Sequence, residues 1–173
     1  MKLRNITVIL LALIMVLSLA SCSSKSEVPQ GMKDIAREKD PFNFYVPLSW
    51  VTNSADIVGA YYSGYDKSNI SIMPYGGDFA STDEYWEDFK TRCAAEFAEF
   101  EVITEKEAKV VSGRNALQYT YKLKVDGKVY KCQQTAMLYS NDLLYVITYT
   151  ATEDKYDSHL AEIENILSVF RFK

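Results

Sequence analysis

Hydrophobic positions follow three patterns along this chain, and each predicts a different structure. A largely apolar run occupies Ile6 to Val16, behind Met1-Lys2-Leu3-Arg4 and ahead of Leu19-Ala20-Ser21-Cys22. From Phe42 onward a period of two takes over: Phe42, Phe44 and Val46 share one face, the signature of a half-buried strand. Pro47 then ends that ladder and Trp50 falls in the turn behind it. Ile57 to Tyr62 and Ile70 to Tyr75 read as two more strands, joined by a loop that contains Gly64 and Asp66. The third pattern is helical. Tyr85, Trp86, Phe89, Cys93 and Phe97 make one apolar stripe, and so do Tyr156, Leu160, Ile163, Leu167 and Phe170 near the end.

Local signals set the ends of these elements. Ser81-Thr82-Asp83-Glu84 matches a capping box, with Ser81 bonding the Glu84 amide and Glu84 reaching back to the Ser81 amide. Asp83, Glu84, Glu87 and Asp88 crowd the first turns, where acids suit the positive end of the helix dipole. Between Val102 and Ala151 the chain reads as strands. Asp126-Gly127 marks a two-residue hairpin, because a type I′ turn needs positive φ at both central positions. That turn pairs Val125 with Lys128, Leu123 with Tyr130, Tyr121 with Cys132, Tyr119 with Gln134 and Leu117 with Ala136. A second turn at Asn141-Asp142 predicts Leu138 opposite Tyr145, Ala136 opposite Ile147 and Gln134 opposite Tyr149. Three strands would then share one apolar face, covered by helices.

The N-terminal layout of charge, apolar core and small residues is that of a secretory signal. With Cys22 directly after Ala20-Ser21, the stretch resembles the lipobox of bacterial lipoproteins. The resemblance implies cleavage between Ser21 and Cys22, acylation of Cys22, and attachment to the extracytoplasmic face of a cell membrane. It divides the chain into a signal peptide over 1–21, a lipidated flexible tether over 22–39, and one domain over 40–173. A single acyl chain binds membranes marginally, at roughly 10⁴ M⁻¹, so stable anchoring takes a second chain. Lipoprotein cysteines carry at least two, as the resemblance implies. Within the tether, Met32, Ile35 and Ala36 predict one helical turn docked on the domain.

Composition narrows the partners. The chain has 19 Lys and Arg against 23 Asp and Glu. Without Lys2 and Arg4 the balance is 17 bases to 23 acids, a net charge of −6. Such a chain has no electrostatic footprint for nucleic acid or for a basic lipid-binding face.

Phe42-x-Phe44-x-Val46-Pro47-x-x-Trp50 resembles the opening of PsbP-like and DcrB-like domains. Val110-Val111-Ser112-Gly113 before a hairpin, Tyr145-Val146-Ile147-Thr148-Tyr149, and Ile166-Leu167-Ser168-Val169-Phe170 extend the resemblance over about residues 40–173. It implies an α+β fold, an antiparallel sheet flanked by helices in an α/β/α sandwich. Members of that family include lumenal photosystem II subunits, a Ran-binding transport factor and many lipoproteins of unknown role, and the common activity the resemblance implies is binding another protein. The function implied is a non-catalytic binding or accessory subunit, with a membrane or envelope protein as partner and no cofactor. The rival readings are an envelope hydrolase, and a small-molecule or ion-binding lipoprotein serving a transporter.

Candidate chemistry is sparse. Gly76-Gly77-Asp78-Phe79 lacks the further acid of the diguanylate cyclase signature and reads as a turn leading to the Ser81 cap. His159, the only histidine, reads as a surface residue of the last helix, without a nucleophile motif or a histidine partner for a metal. Glu87, Asp88, Glu96, Glu99 and Glu101 read as a solvated acidic face, since no calcium-loop spacing is present. Cys93 and Cys132 fall on facing inward positions and form a possible disulfide. Tyr61, Tyr62, Tyr65 and Tyr75 form a possible partner surface, with sheet packing as the competing reading.

Overall fold

The computed structural model describes residues 27–53, 57–76 and 79–173. The signal segment, the Ser21–Cys22 junction and the first part of the tether lie outside the described residues, as do Gly77 and Asp78. Among the described residues no helix is long and apolar enough to cross a membrane.

A seven-stranded antiparallel sheet organises the chain. Its strands are β4 (Val51–Thr52), β5 (Val58–Tyr61), β6 (Asn69–Gly76), β7 (Phe100–Val111), β8 (Arg114–Val125), β9 (Lys128–Ser140) and β10 (Leu143–Thr152), in the order β4-β5-β6-β10-β9-β8-β7. Three short strands precede them: β1 (Met32–Asp34), β2 (Phe42–Asn43) and β3 (Tyr45–Pro47). One long helix, α1 (Thr82–Glu96), links β6 to β7. After β10 come the single turn α2 (Glu153–Tyr156), a 3₁₀ turn (Asp157–His159), α3 (Leu160–Val169) and β11 (Arg171–Phe172). The architecture is mixed α+β but dominated by its sheet.

The first hairpin has the predicted register, from Val125 opposite Lys128 out to Leu117 opposite Ala136. Asp126 and Gly127 both have positive φ, 50° and 78°, as a type I′ turn requires. The second hairpin differs. Leu143 pairs with Ser140, but Leu144 then pairs with Leu138, so Tyr139 is left over as a bulge. Tyr145 therefore meets Met137, Val146 meets Ala136 and Tyr149 meets Gln133, one residue away from the predicted pairs. The cause is local. Neither Asn141 nor Asp142 has positive φ, so the turn is not type I′ and the ladder takes up the mismatch as a bulge.

That one-residue slip reverses which residues face which side. Leu144 and Val146 join Tyr119, Tyr121, Cys132 and Ala136 on the face covered by α1, through Tyr85 and Trp86. Tyr145, Ile147 and Tyr149 turn to the opposite face. There they pack with Ile70, Ile72 and Met137 beneath Phe42, Phe44, Ile163, Ile166 and Phe170. The expected common face for Leu117, Ala136 and Ile147 is corrected accordingly.

Two further expectations change. Residues 32–36, read from the sequence as tether, pack on the domain: Met32 is buried in its core, and Ile35 and Ala36 lie against it. Met32–Asp34 is a strand, not a helical turn, and pairs Met32 with Pro47 and Asp34 with Tyr45. The Asp34 carboxylate accepts from the amides of Ala36 and Phe44, which favours an extended entry over a helical one. At α1, Ser81 caps the Glu84 amide at 3.1 Å as expected. The return bond goes one residue earlier, from the Ala80 amide to the Glu84 carboxylate at 2.6 Å.

Candidate functional site

The chain between β5 and β6 doubles back in a loop with its own internal bonding. The Tyr62 amide donates to the Ser68 carbonyl at 2.8 Å, closing the neck, and the Ser63 amide donates to the Asp66 carbonyl at 3.0 Å. The Asp66 amide donates to Ser63 Oγ, while Asp66 Oδ1 accepts from both the amide and the hydroxyl of Ser68, at 2.9 and 2.6 Å. Asp66 thus serves as the loop's internal staple, the usual role of an aspartate that bonds backbone two residues on.

The second carboxylate oxygen of Asp66 faces His159, 93 residues away in sequence. His159 Nε2 lies 2.9 Å from Asp66 Oδ2 and Nδ1 lies 3.0 Å from Glu162 Oε2. The ring is 5 % exposed, which corrects its expected surface position. At helical spacing His159 shares the side of Ile163 and Ile166, both buried, so the C-terminal segment presents it to the core from the 3₁₀ turn that leads into α3. Tyr62 packs over the imidazole at 4.3 Å between ring centroids, and Trp50 stands edge-on to it at 6.2 Å. Trp50 Nε1 is buried without a hydrogen-bond partner among the described residues.

Electrostatics favour the ion pair. Burial alone would keep the ring neutral, but its hydrogen bonds to Asp66 and Glu162 outweigh burial and raise its pKa above the usual 6.5. Burial likewise pushes the Asp66 carboxyl up, yet the bonds from Ser68 and His159 prevail and hold it at about 2, against an ordinary 3.8. Stability from His159 is therefore complete below pH 6.5 and disappears as pH rises through the higher folded-state value. Stability from Asp66 is complete above pH 3.8 and disappears as pH falls toward about 2. Denaturant midpoints measured across pH should show a plateau with both of these shoulders. His159→Gln should abolish the alkaline one.

This geometry is unsuited to catalysis. Both ring nitrogens are committed to carboxylates, so neither is free to activate a nucleophile. The nearby hydroxyl, on Ser68, bonds Asp66 and not the imidazole. The two acids sit at opposite ends of the ring and cannot converge on one ion. Among the described residues no group of three or more His, Cys, Asp and Glu side chains could hold a metal.

The four tyrosines do not form one patch. Tyr65, at the loop tip, is fully exposed, and Tyr62 is partly exposed above His159. Tyr61 lies beneath the Lys67 ammonium, 4.6 Å from its ring centroid. It borders a shallow cleft of about 340 Å³ with Asn53, Gly59, Asn69 and Ser71. Tyr75 is apart from them, packed on Tyr85 at 5.1 Å beneath α1. Cys93 and Cys132 are buried free thiols. Burial raises both pKa values, that of Cys132 to about 11, so neither is a ready nucleophile. Phe79 packs edge-on against Tyr85 at 5.5 Å, a core role for the one described aromatic of the Gly76–Phe79 stretch. Much of the acidic face is paired: Glu87 with Lys90, Asp88 with Arg92 and Glu99 with Lys124.

Sequence reasoning located Asp66 in a loop and noticed His159, but did not join them. A signal existed only in part: Ser63-x-x-Asp66-x-Ser68 is turn chemistry that leaves one carboxylate oxygen free for a distant partner.

No protein-family model matches the chain, and no curated protein matches it in sequence. Solved structures do. Cyanobacterial PsbP (CyanoP) from Synechocystis is 16 % identical with a TM-score of 0.62, over 90 % of this chain and 99 % of that one. LpqN of Mycobacterium tuberculosis is 14 % identical with a TM-score of 0.58, over 82 % and 91 %. The Saccharomyces cerevisiae Ran-binding protein Mog1p is 11 % identical with a TM-score of 0.52, over 82 % and 95 %. At such identities the likeness is one of fold, and the fold of this chain is PsbP-like.

Proposed function

We propose that this protein is a lipid-anchored, extracytoplasmic lipoprotein whose domain binds a membrane or envelope protein and catalyses nothing. One observation carries the binding reading: the clamp of Asp66, His159 and Glu162 spends every polar atom of its histidine on holding a loop that presents Tyr65 to solvent. Exposed tyrosine binds at little entropic cost, because its large ring has few rotatable bonds. The anchor rests on the Ala20-Ser21-Cys22 stretch. Anchoring raises the local concentration of the domain beside its neighbours, so a modest interface stays occupied. Proteins of the same fold agree with this reading. Mog1p is described as Ran-binding and LpqN as involved in cell envelope biogenesis.

The test is cross-linking in intact membranes followed by pull-down of the full-length chain. Tyr61→Ala, Tyr62→Ala and Tyr65→Ala, made singly, should each lower recovery of a cross-linked partner, Tyr65→Ala without loss of stability. Cys22→Ala should move the protein into the soluble fraction with its domain folded. Undiminished recovery from all three tyrosine variants would rule out this surface. Retention of the cysteine variant through a carbonate wash would rule out the lipid as the main attachment.

A further inference from the structure

We propose that docking on the 62–68 loop is gated by the proton on His159: an imidazolium ties the loop to the C-terminal helix in its docking shape, and a neutral ring releases it. The gate rests on the reading of this loop as the docking surface.

The argument begins with hydrogen-bond inventory. Only the imidazolium donates from both nitrogens; a neutral ring has one N–H and one lone pair. Here each nitrogen faces a carboxylate within 3.0 Å. On loss of the proton one carboxylate must face a lone pair, and the surviving N–H···carboxylate bond loses its cationic donor and with it the ion-pair attraction. Tyr62, tilted against the ring at 4.3 Å, loses a cationic neighbour at the same moment. Three interactions from two elements therefore favour the same protonation state.

The surroundings do not compensate. The loop contributes Asp66 and Tyr62, and α3 contributes Glu162. Trp50, from the turn before β4, contributes an indole with no partner among the described residues. Tyr149 of β10 is a neutral phenol close enough to feel the Asp66 charge, and burial raises its pKa. Lys33 of β1 is committed to the carbonyls of Leu48 and Trp50 and does not serve as a substitute cation. The two acids also differ in freedom. Glu162 is partly exposed and can turn to water, whereas Ser68 fixes Asp66 within the loop. The loop thus keeps its internal turn, and what it loses is the ion pair between Asp66 and the ring. It opens at its neck, where the bond from the Tyr62 amide to the Ser68 carbonyl breaks.

Because the sequence contains one histidine, its ring gives a single NMR titration curve. We would follow the ring and the 62–68 amides of the full-length chain from about pH 5 to about pH 10. The loop amides should shift with the ring's own midpoint. Exchange protection of the Tyr62 amide, corrected for intrinsic rates, should fall about tenfold through that midpoint. In Glu162→Gln the ring and loop midpoints should move down together. In His159→Gln the loop should be open at every pH, without a transition. A ring that titrates while the loop amides stay still overturns the gate, as does an unchanged loop transition in His159→Gln. These readouts need no partner, so a failed tyrosine cross-linking result would sink the docking surface and leave only the proton-linked opening of the loop standing.

Discussion

Trp86→Ala should destabilise the domain by about 3–5 kcal/mol, the range for truncating a buried tryptophan. Thermal unfolding should fall by roughly 10–15 °C in a domain of this size. Trp86 is almost wholly buried and stacks on Tyr119 at 4.2 Å, nearly parallel, and on Phe89 at 5.6 Å. It is the side chain that seats α1 on the sheet. Its indole N–H also donates to Glu105 of the edge strand β7 at 2.9 Å. Trp86→Phe, which keeps most of the apolar volume and loses that bond, should recover most of the stability. A Trp86→Ala variant with a wild-type midpoint would mean that the helix contributes little to the fold.

Phe170→Ala should have an effect of the same size, about 3–5 kcal/mol, on the other face. Phe170 is fully buried where the two ends of the domain meet. It contacts Phe42 at 5.7 Å, Phe44 edge-on at 6.0 Å and Phe172 edge-on at 5.0 Å. Its loss should also loosen β11, which pairs Phe172 with Phe42 and Arg171 with Asn43. Trp86 and Phe170 belong to separate clusters on opposite faces of the sheet, so the double variant should lose close to the sum of the single losses. Strong non-additivity would show that the two faces communicate through the strands between them.

Much of the fold was legible because it depends on short-range rules. The type I′ turn at Asp126-Gly127 follows from two residues that tolerate positive φ, and every pair out to Leu117 and Ala136 follows from the turn. The Ser81 cap and the stripe on α1 depend on spacing of a few residues and were equally readable. Asn141-Asp142 illustrates the limit. The same two residue types that favour a tight turn also accept ordinary φ, and only the packing of Tyr145, Ile147 and Tyr149 under the C-terminal helix selects the bulged register. Tyr139 shows what the bulge achieves, since it comes to rest against Tyr145 and Phe172.

What the chain determines by itself is therefore local: strand periodicity, one hairpin register and a helix cap. Tertiary structure alone decided the site. Asp66, His159 and Glu162 come from a loop and a helix start separated by most of the sheet. Nothing in the spacing of 66 and 159 signals their meeting. Burial made the difference, because an imidazole taken out of water must find partners for both nitrogens, and the fold supplies one carboxylate from each side. The tyrosines divided for the same reason. Alternation along β6 sends Tyr75 under α1, while the loop after β5 lifts Tyr65 into solvent. Which of several similar residues faces water depends on the elements packed above them, and those contacts form only when the chain is folded.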